Sequence, residues 1–231
     1  MNNLAEVSQE VVKDRLITAR VQLLLKNGFF GNLATRLQLQ EASSWCPTAA
    51  TDGKFFFYNT EFIQSLDDDE LIFLFGHEVL HNVYDHMDRR GSRDPRLWNI
   101  ANDYVVNMDC VENNIGKRIT SVNICFDYKY QNWISEEIYD DLFQQAEEEG
   151  RVIDVESFDV HLDRGEGDDD GASGEGGEAN SEGGDKDGPA KYTAEEKEKI
   201  SQEFKNATMQ AAKAAGAGNL PGGVKRALDH L

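Results

Sequence analysis

The sequence predicts an α+β fold: a helix-dominated domain with a small β-sheet over residues 1–162, an acidic spacer over 163–190 and a helical segment over 191–231. Three observations carry this reading. Long stretches with apolar residues at helical spacing begin at recognisable N-cap residues. Two short runs, "LQLQEA" (37–42) and "KFFFYN" (54–59), have strand character and are separated by turn residues. Composition then changes abruptly: residues 163–190 hold ten Asp/Glu, two Lys/Arg and nine Gly, with no aromatic or β-branched residue. Such a segment cannot bury enough surface to offset its conformational entropy, so it is expected to be a disordered linker spanning roughly 30 Å root-mean-square.

Taken in order, residues 4–26 predict a long helix closed by Asn27-Gly28. The two strands follow, with "TDG" (51–53) turning into the second. A helix is expected at about 69–86, with Asp67 as N-cap and Glu70 reaching back as a capping box. The next helix opens at "RDPRLW", where Asp94 caps and Pro95 suits the first helical position, and it runs to about Asn113. "NICFDY" (123–128) is a candidate third strand, and residues 135–149 predict another helix. Beyond the spacer, Thr193 and Glu196 form a second capping box on a helix whose Ile200, Phe204, Ala207 and Ala211 share a face. "NLPGG" breaks that helix, and "VKRALDHL" opens a last one in which the chain stops.

Charge and cysteine usage narrow the function classes. The formal net charge is −20, of which the spacer contributes −8, so the remainder is acidic too. That excludes nucleic acid and an anionic membrane as the expected main partner. Cys46, Cys110 and Cys125 form no CxxC, which suits reduced thiols in a cytoplasmic protein. No secretory signal and no run of transmembrane length is visible.

The chemistry concentrates in "GHEVLHNVYDH" (76–86), which continues the apolar run "ELIFLF". Ionisable groups in such a helix are costly unless paired or metal-bound. His77 and His81, four residues apart, share one helix face and can grip one tetrahedral ion, with Glu78 beside them as general base. This is the HExxH arrangement, in which a metal lowers the pKa of a coordinated water toward about 7 and polarises a carbonyl. A third ligand has two sources. His86 points about 180° away from His77 on a continuous helix, and serves only if the chain breaks near Tyr84 or Asp85. Asp103 comes from the next helix, which the short "GSRDP" connection should fold back antiparallel. Asp103 lies about 140° from the apolar centre formed by Trp98, Ala101, Tyr104, Val105 and Met108, an angle that also suits a solvated residue. The geometry favours Asp103, and replacement of His86 is expected to leave metal binding nearly unchanged. Asn107, one turn beyond Asp103, is placed to orient a histidine. Tyr104 and Tyr128 are candidate oxyanion donors. "KFFFYN" is either a core strand or an edge that binds extended peptide.

"TDGKFFFYN", HEVLH with His86 five residues on, "RDPRLWN" and "NDYVVN" together resemble the putative-metallopeptidase domain that precedes a von Willebrand factor A-like domain in bacterial and phage proteins. The resemblance covers most of residues 1–162 and extends to "GNLPGGVKRALDHL". It implies a zincin-like fold, Zn2+ as cofactor, hydrolysis of peptide bonds in a protein or peptide substrate, and a possible AAA+ ATPase or A-like partner. His77, Glu78 and His81 match the zinc and catalytic positions, and Asp103 matches the acidic position that the resemblance implies as third ligand. The chain departs from the pattern by stopping where the A-like domain would begin. The competing expectation is a non-catalytic zinc-binding module that docks to such a partner. An intact Glu78 speaks against it, because a structural site needs no general base.

Overall fold

The computed structural model describes residues 2–149 and 192–229. The spacer at 163–190 lies outside the described residues. Helix α1 (Asn2–Lys26) is followed at once by α2 (Gly28–Ala34). Asn27 closes the first, as the sequence predicts, but also opens the second by accepting the Phe30 amide at 3.4 Å. The sequence reading misses α2 because its Asn-Gly signal serves both a stop and a start.

Strand β1 (Gln38–Glu41), strand β2 (Ala49–Thr51) and strand β3 (Phe55–Tyr58) form one sheet in the order β1-β3-β2. β3 runs parallel to β1 and antiparallel to β2. "KFFFYN" is therefore the central strand, with its backbone committed on both sides, and cannot be the peptide-binding edge. The edge beside the histidine helix is β2, which the sequence shows only as the approach to a turn. In that turn Gly53 has a φ of 88° and Asp52 accepts the amides of Lys54 and Phe55 at 2.9 and 2.7 Å.

Helix α3 (Thr60–Ser65), capped by Asn59, leads into α4 (Asp68–Val83), α5 (Pro95–Glu112) and α6 (Ser135–Glu149); α7 (Ala194–Ala215) and α8 (Gly222–Leu228) complete the set. Both expected capping boxes are present. The strand expected at 123–128 is not formed: the stretch is irregular, and a 3-10 turn covers Tyr128–Tyr130. The Cys125 carbonyl accepts the Asn107 side-chain amide at 3.1 Å, so a helix side chain takes up a group that a strand would have offered to a ladder.

The main core gathers Val12, Leu16 and Leu23 of α1, Phe29 and Phe30 of α2, and the apolar residues of α4. Phe204, Ala207 and Ala211 of α7 and Val224 of α8 join it, while Ile200 is only half-buried. A second cluster packs Leu97, Trp98, Ile100 and Ala101 of α5 against Ile138, Tyr139 and Leu142 of α6. Helix α5 is thus enclosed from two sides, with Val106 and Cys110 turned to the main core. No described helix is long and apolar enough to cross a membrane.

Candidate metal centre

Helix α4 is buried along nearly its whole length, from Glu70 to Val83. Its start is fixed by the capping box, in which Asp67 accepts the Glu70 amide at 2.8 Å and Glu70 accepts the Asp67 amide at 3.0 Å. Glu70 also receives the Thr120 amide and hydroxyl at 3.1 and 3.0 Å, tying the chain beyond α5 to the beginning of α4. Gly76 supplies the close approach: a Cβ there would run into Ile115, with Cys110 Sγ 3.3 Å away. A residue without a side chain immediately before His77 therefore lets the end of α5 and the following loop close on α4.

The packing sets the two histidines against Asp103. His77 Nε2 and His81 Nε2 are 2.9 Å apart. Asp103 Oδ1 lies 3.8 Å from the first and 3.5 Å from the second. Ligands about 2.0–2.2 Å from a tetrahedral ion stand roughly 3.3–3.5 Å from one another, and the three separations bracket that range. The donor atoms of His77, His81 and Asp103 form a group able to hold a metal ion. Asp103 is 0% exposed. Solvation, which its angular position on α5 allowed, is ruled out because α4 packs on that side of α5: His77 and His81 face Asp103, and Val106 and Cys110 beside it join the main core. Two imidazole nitrogens and one carboxylate oxygen suit zinc and leave one coordination position over, the composition of an open site.

The outer ring nitrogens are held as well. His77 Nδ1 is 2.9 Å from Asn107 Oδ1. Because the Asn107 amide nitrogen donates to the Cys125 carbonyl, its oxygen faces His77 and accepts from Nδ1, which leaves Nε2 as the ring nitrogen on the Asp103 side. Glu78, 1% exposed, follows His77 on α4. Asn82 donates to the Glu78 carbonyl at 2.8 Å and to Thr51 Oγ1 at 3.1 Å, which binds β2 to this part of the helix.

The helix does not continue through His86. Asp85 takes a left-handed φ of 55°, and the amides of Asp85 and His86 bond back to the carbonyls of Asn82 and His81 at 3.2 and 3.1 Å. This is the Schellman pattern of a helix end. Aspartate tolerates the left-handed region better than most residues, so the break occurs without a glycine. The reversal swings His86 back to His81, but to its outer nitrogen: the two Nδ1 atoms are 3.0 Å apart.

Other expected site residues lie elsewhere. Tyr104 packs edge-on against Tyr130, and its hydroxyl pKa is pushed up to about 12 by burial and by nearby Cys125 and Tyr130. Tyr128 is 64% exposed against Phe126. Two buried groups escaped the sequence reading. Ser135 lies 3.1 Å from His86 Nε2, and Tyr84 donates a short hydrogen bond to Asp109. No spacing rule joins residues so far apart in the chain.

A buried helix bearing His-Glu-x-x-His, faced by an aspartate from its neighbour, defines the class of protein as one with a candidate metal centre. The chain belongs to the family described as "Putative metallopeptidase domain", whose model matches residues 12–231. Comparison with curated proteins and with solved structures gave no match.

Proposed function

We propose that this protein is a zinc-dependent peptidase with a zincin-type site, in which His77, His81 and Asp103 hold Zn2+ and Glu78 is the general base. The observation that carries the reading is the convergence of His77 Nε2, His81 Nε2 and Asp103 Oδ1 from two packed helices. Zinc in that position supplies Lewis acidity, polarising a carbonyl and easing the ionisation of water. The Glu78 carboxylate takes the proton of the attacking water as the oxygen–carbon bond forms, and returns it to the leaving amine nitrogen as the carbon–nitrogen bond breaks. Asn107 holds the His77 ring so that its Nε2 lone pair faces the ion. The substrate class is protein or peptide, acted on in the cytoplasm, with an AAA+ ATPase or a von Willebrand A-like protein as partner. The net charge of −20 favours neither nucleic acid nor an anionic membrane.

The test joins metal analysis to proteolysis. Purified chain should carry about one zinc, and His77→Ala or His81→Ala should lose most of it. Glu78→Gln should keep the zinc and the fold but lose hydrolysis, since an amide cannot accept the proton. Wild-type activity in Glu78→Gln would remove the general base from the scheme. Bound zinc without turnover on unfolded proteins would favour a non-catalytic docking module.

A further inference from the structure

The structure holds a second imidazole against the candidate centre. His86 Nδ1 lies 3.0 Å from His81 Nδ1, and His86 Nε2 lies 3.1 Å from Ser135 Oγ. His86 is 3% exposed and Ser135 1%. The ring is fixed by more than these two contacts. Its own amide bonds to the His81 carbonyl at 3.1 Å, and its carbonyl accepts the Trp98 indole N–H at 2.9 Å. The left-handed Asp85 that aims it is held by Lys205 of α7 at 2.8 Å.

We infer that His86 is a positioning residue for the metal centre: it accepts the His81 Nδ1 proton and so turns the His81 Nε2 lone pair toward His77 and Asp103. The inference rests on the metal reading above. An imidazole that binds a metal through Nε2 carries its proton on Nδ1 and needs an acceptor there. Asn107 Oδ1 is that acceptor for His77. For His81 Nδ1, His86 Nδ1 lies at hydrogen-bond distance and accepts when the His86 proton is on Nε2. Ser135 Oγ is placed to receive that proton, so the His81–His86–Ser135 chain has a donor and an acceptor at each link. His86 therefore acts through His81 and is not itself a ligand, although it is the third histidine of the motif. His86 also lines a cavity of about 520 Å3 with Val83, Tyr84, Asp85 and Ser135.

The experiment uses the full chain, zinc competition titration and the visible spectrum of the cobalt-substituted protein. His86→Phe keeps a ring and removes the acceptor. His86→Asn places an amide near the former Nδ1, as Asn107 does for His77. His86→Phe should bind zinc roughly 10–100-fold more weakly and shift the cobalt spectrum. His86→Asn should stay within about threefold of the parent, with the parental spectrum. Parental affinity and spectrum in His86→Phe would overturn the inference. So would an equal loss in His86→Asn, which would make the role one of shape. Ser135→Ala reports the outer link if His86→Phe fails to fold: a several-fold loss is expected, and parental affinity would count against the chain. A parent that takes up no zinc, or that loses none in His77→Ala, overturns the metal reading itself and is seen before any His86 variant is compared.

Discussion

Asp103→Asn separates a metal ligand from a structural carboxylate. The substitution keeps the shape of a side chain that is 0% exposed and removes its charge. Residues that only orient ligands cost roughly 10–100-fold in metal affinity, so loss of a coordinating carboxylate should cost at least about 100-fold. Free zinc at 100 times the parental Kd stabilises the parent by about 2.7 kcal/mol. At the same concentration a variant bound 100-fold more weakly gains only about 0.4 kcal/mol. The difference of about 2.3 kcal/mol corresponds to roughly 5–9 °C in Tm for a chain of this size. In chelator the zinc-dependent stabilisation is absent from both proteins, and the near-isosteric substitution should leave the two unfolding within about 1 kcal/mol of each other. The assay is thermal unfolding of parent and variant, first in chelator and then across a zinc series. An equal zinc-dependent rise in both would refute Asp103 as a ligand. A variant that is as much weaker in chelator as in zinc would make the carboxylate structural.

Two further outcomes test the scaffold around the site. Gly76→Ala places a methyl against Ile115 and should destabilise the fold by about 1–3 kcal/mol in urea unfolding; a change near zero would show that the loop carrying Ile115 yields freely. Burial raises the Asp109 pKa, with the Tyr84 hydrogen bond and Arg226 offsetting this only in part. The folded chain therefore holds that proton more tightly than the unfolded chain, a contribution fully present below about pH 4 and lost as pH rises through the folded pKa. Asp109→Asn has no such loss, so urea unfolding across a pH series should show its stability relative to the parent improving toward neutrality; a pH-independent difference would contradict this.

The sequence by itself determined the features whose physical cause is local. Capping boxes at Asp67–Glu70 and Thr193–Glu196, and Pro95 behind Asp94, are written within a few residues, so the starts of α4, α5 and α7 were legible. The pairing of His77 with His81 follows from helix periodicity alone. Tertiary structure decided what depends on distant partners. "NICFDY" has strand-like composition, but the Asn107 amide uses the Cys125 carbonyl. "KFFFYN" could be edge or core until β2 paired on its far side. Asp103 lay at an angle that suited solvent until α4 packed against that side of α5. On a continuous helix His86 points away from His77. A single left-handed residue, Asp85, reverses it, and Asp85 is held by Lys205 of α7, a partner far away in the chain. Local hydrogen bonds and periodicity act within about one or two helical turns, whereas burial, the pairing of ring nitrogens and the reach of a carboxylate exist only once separate elements have met.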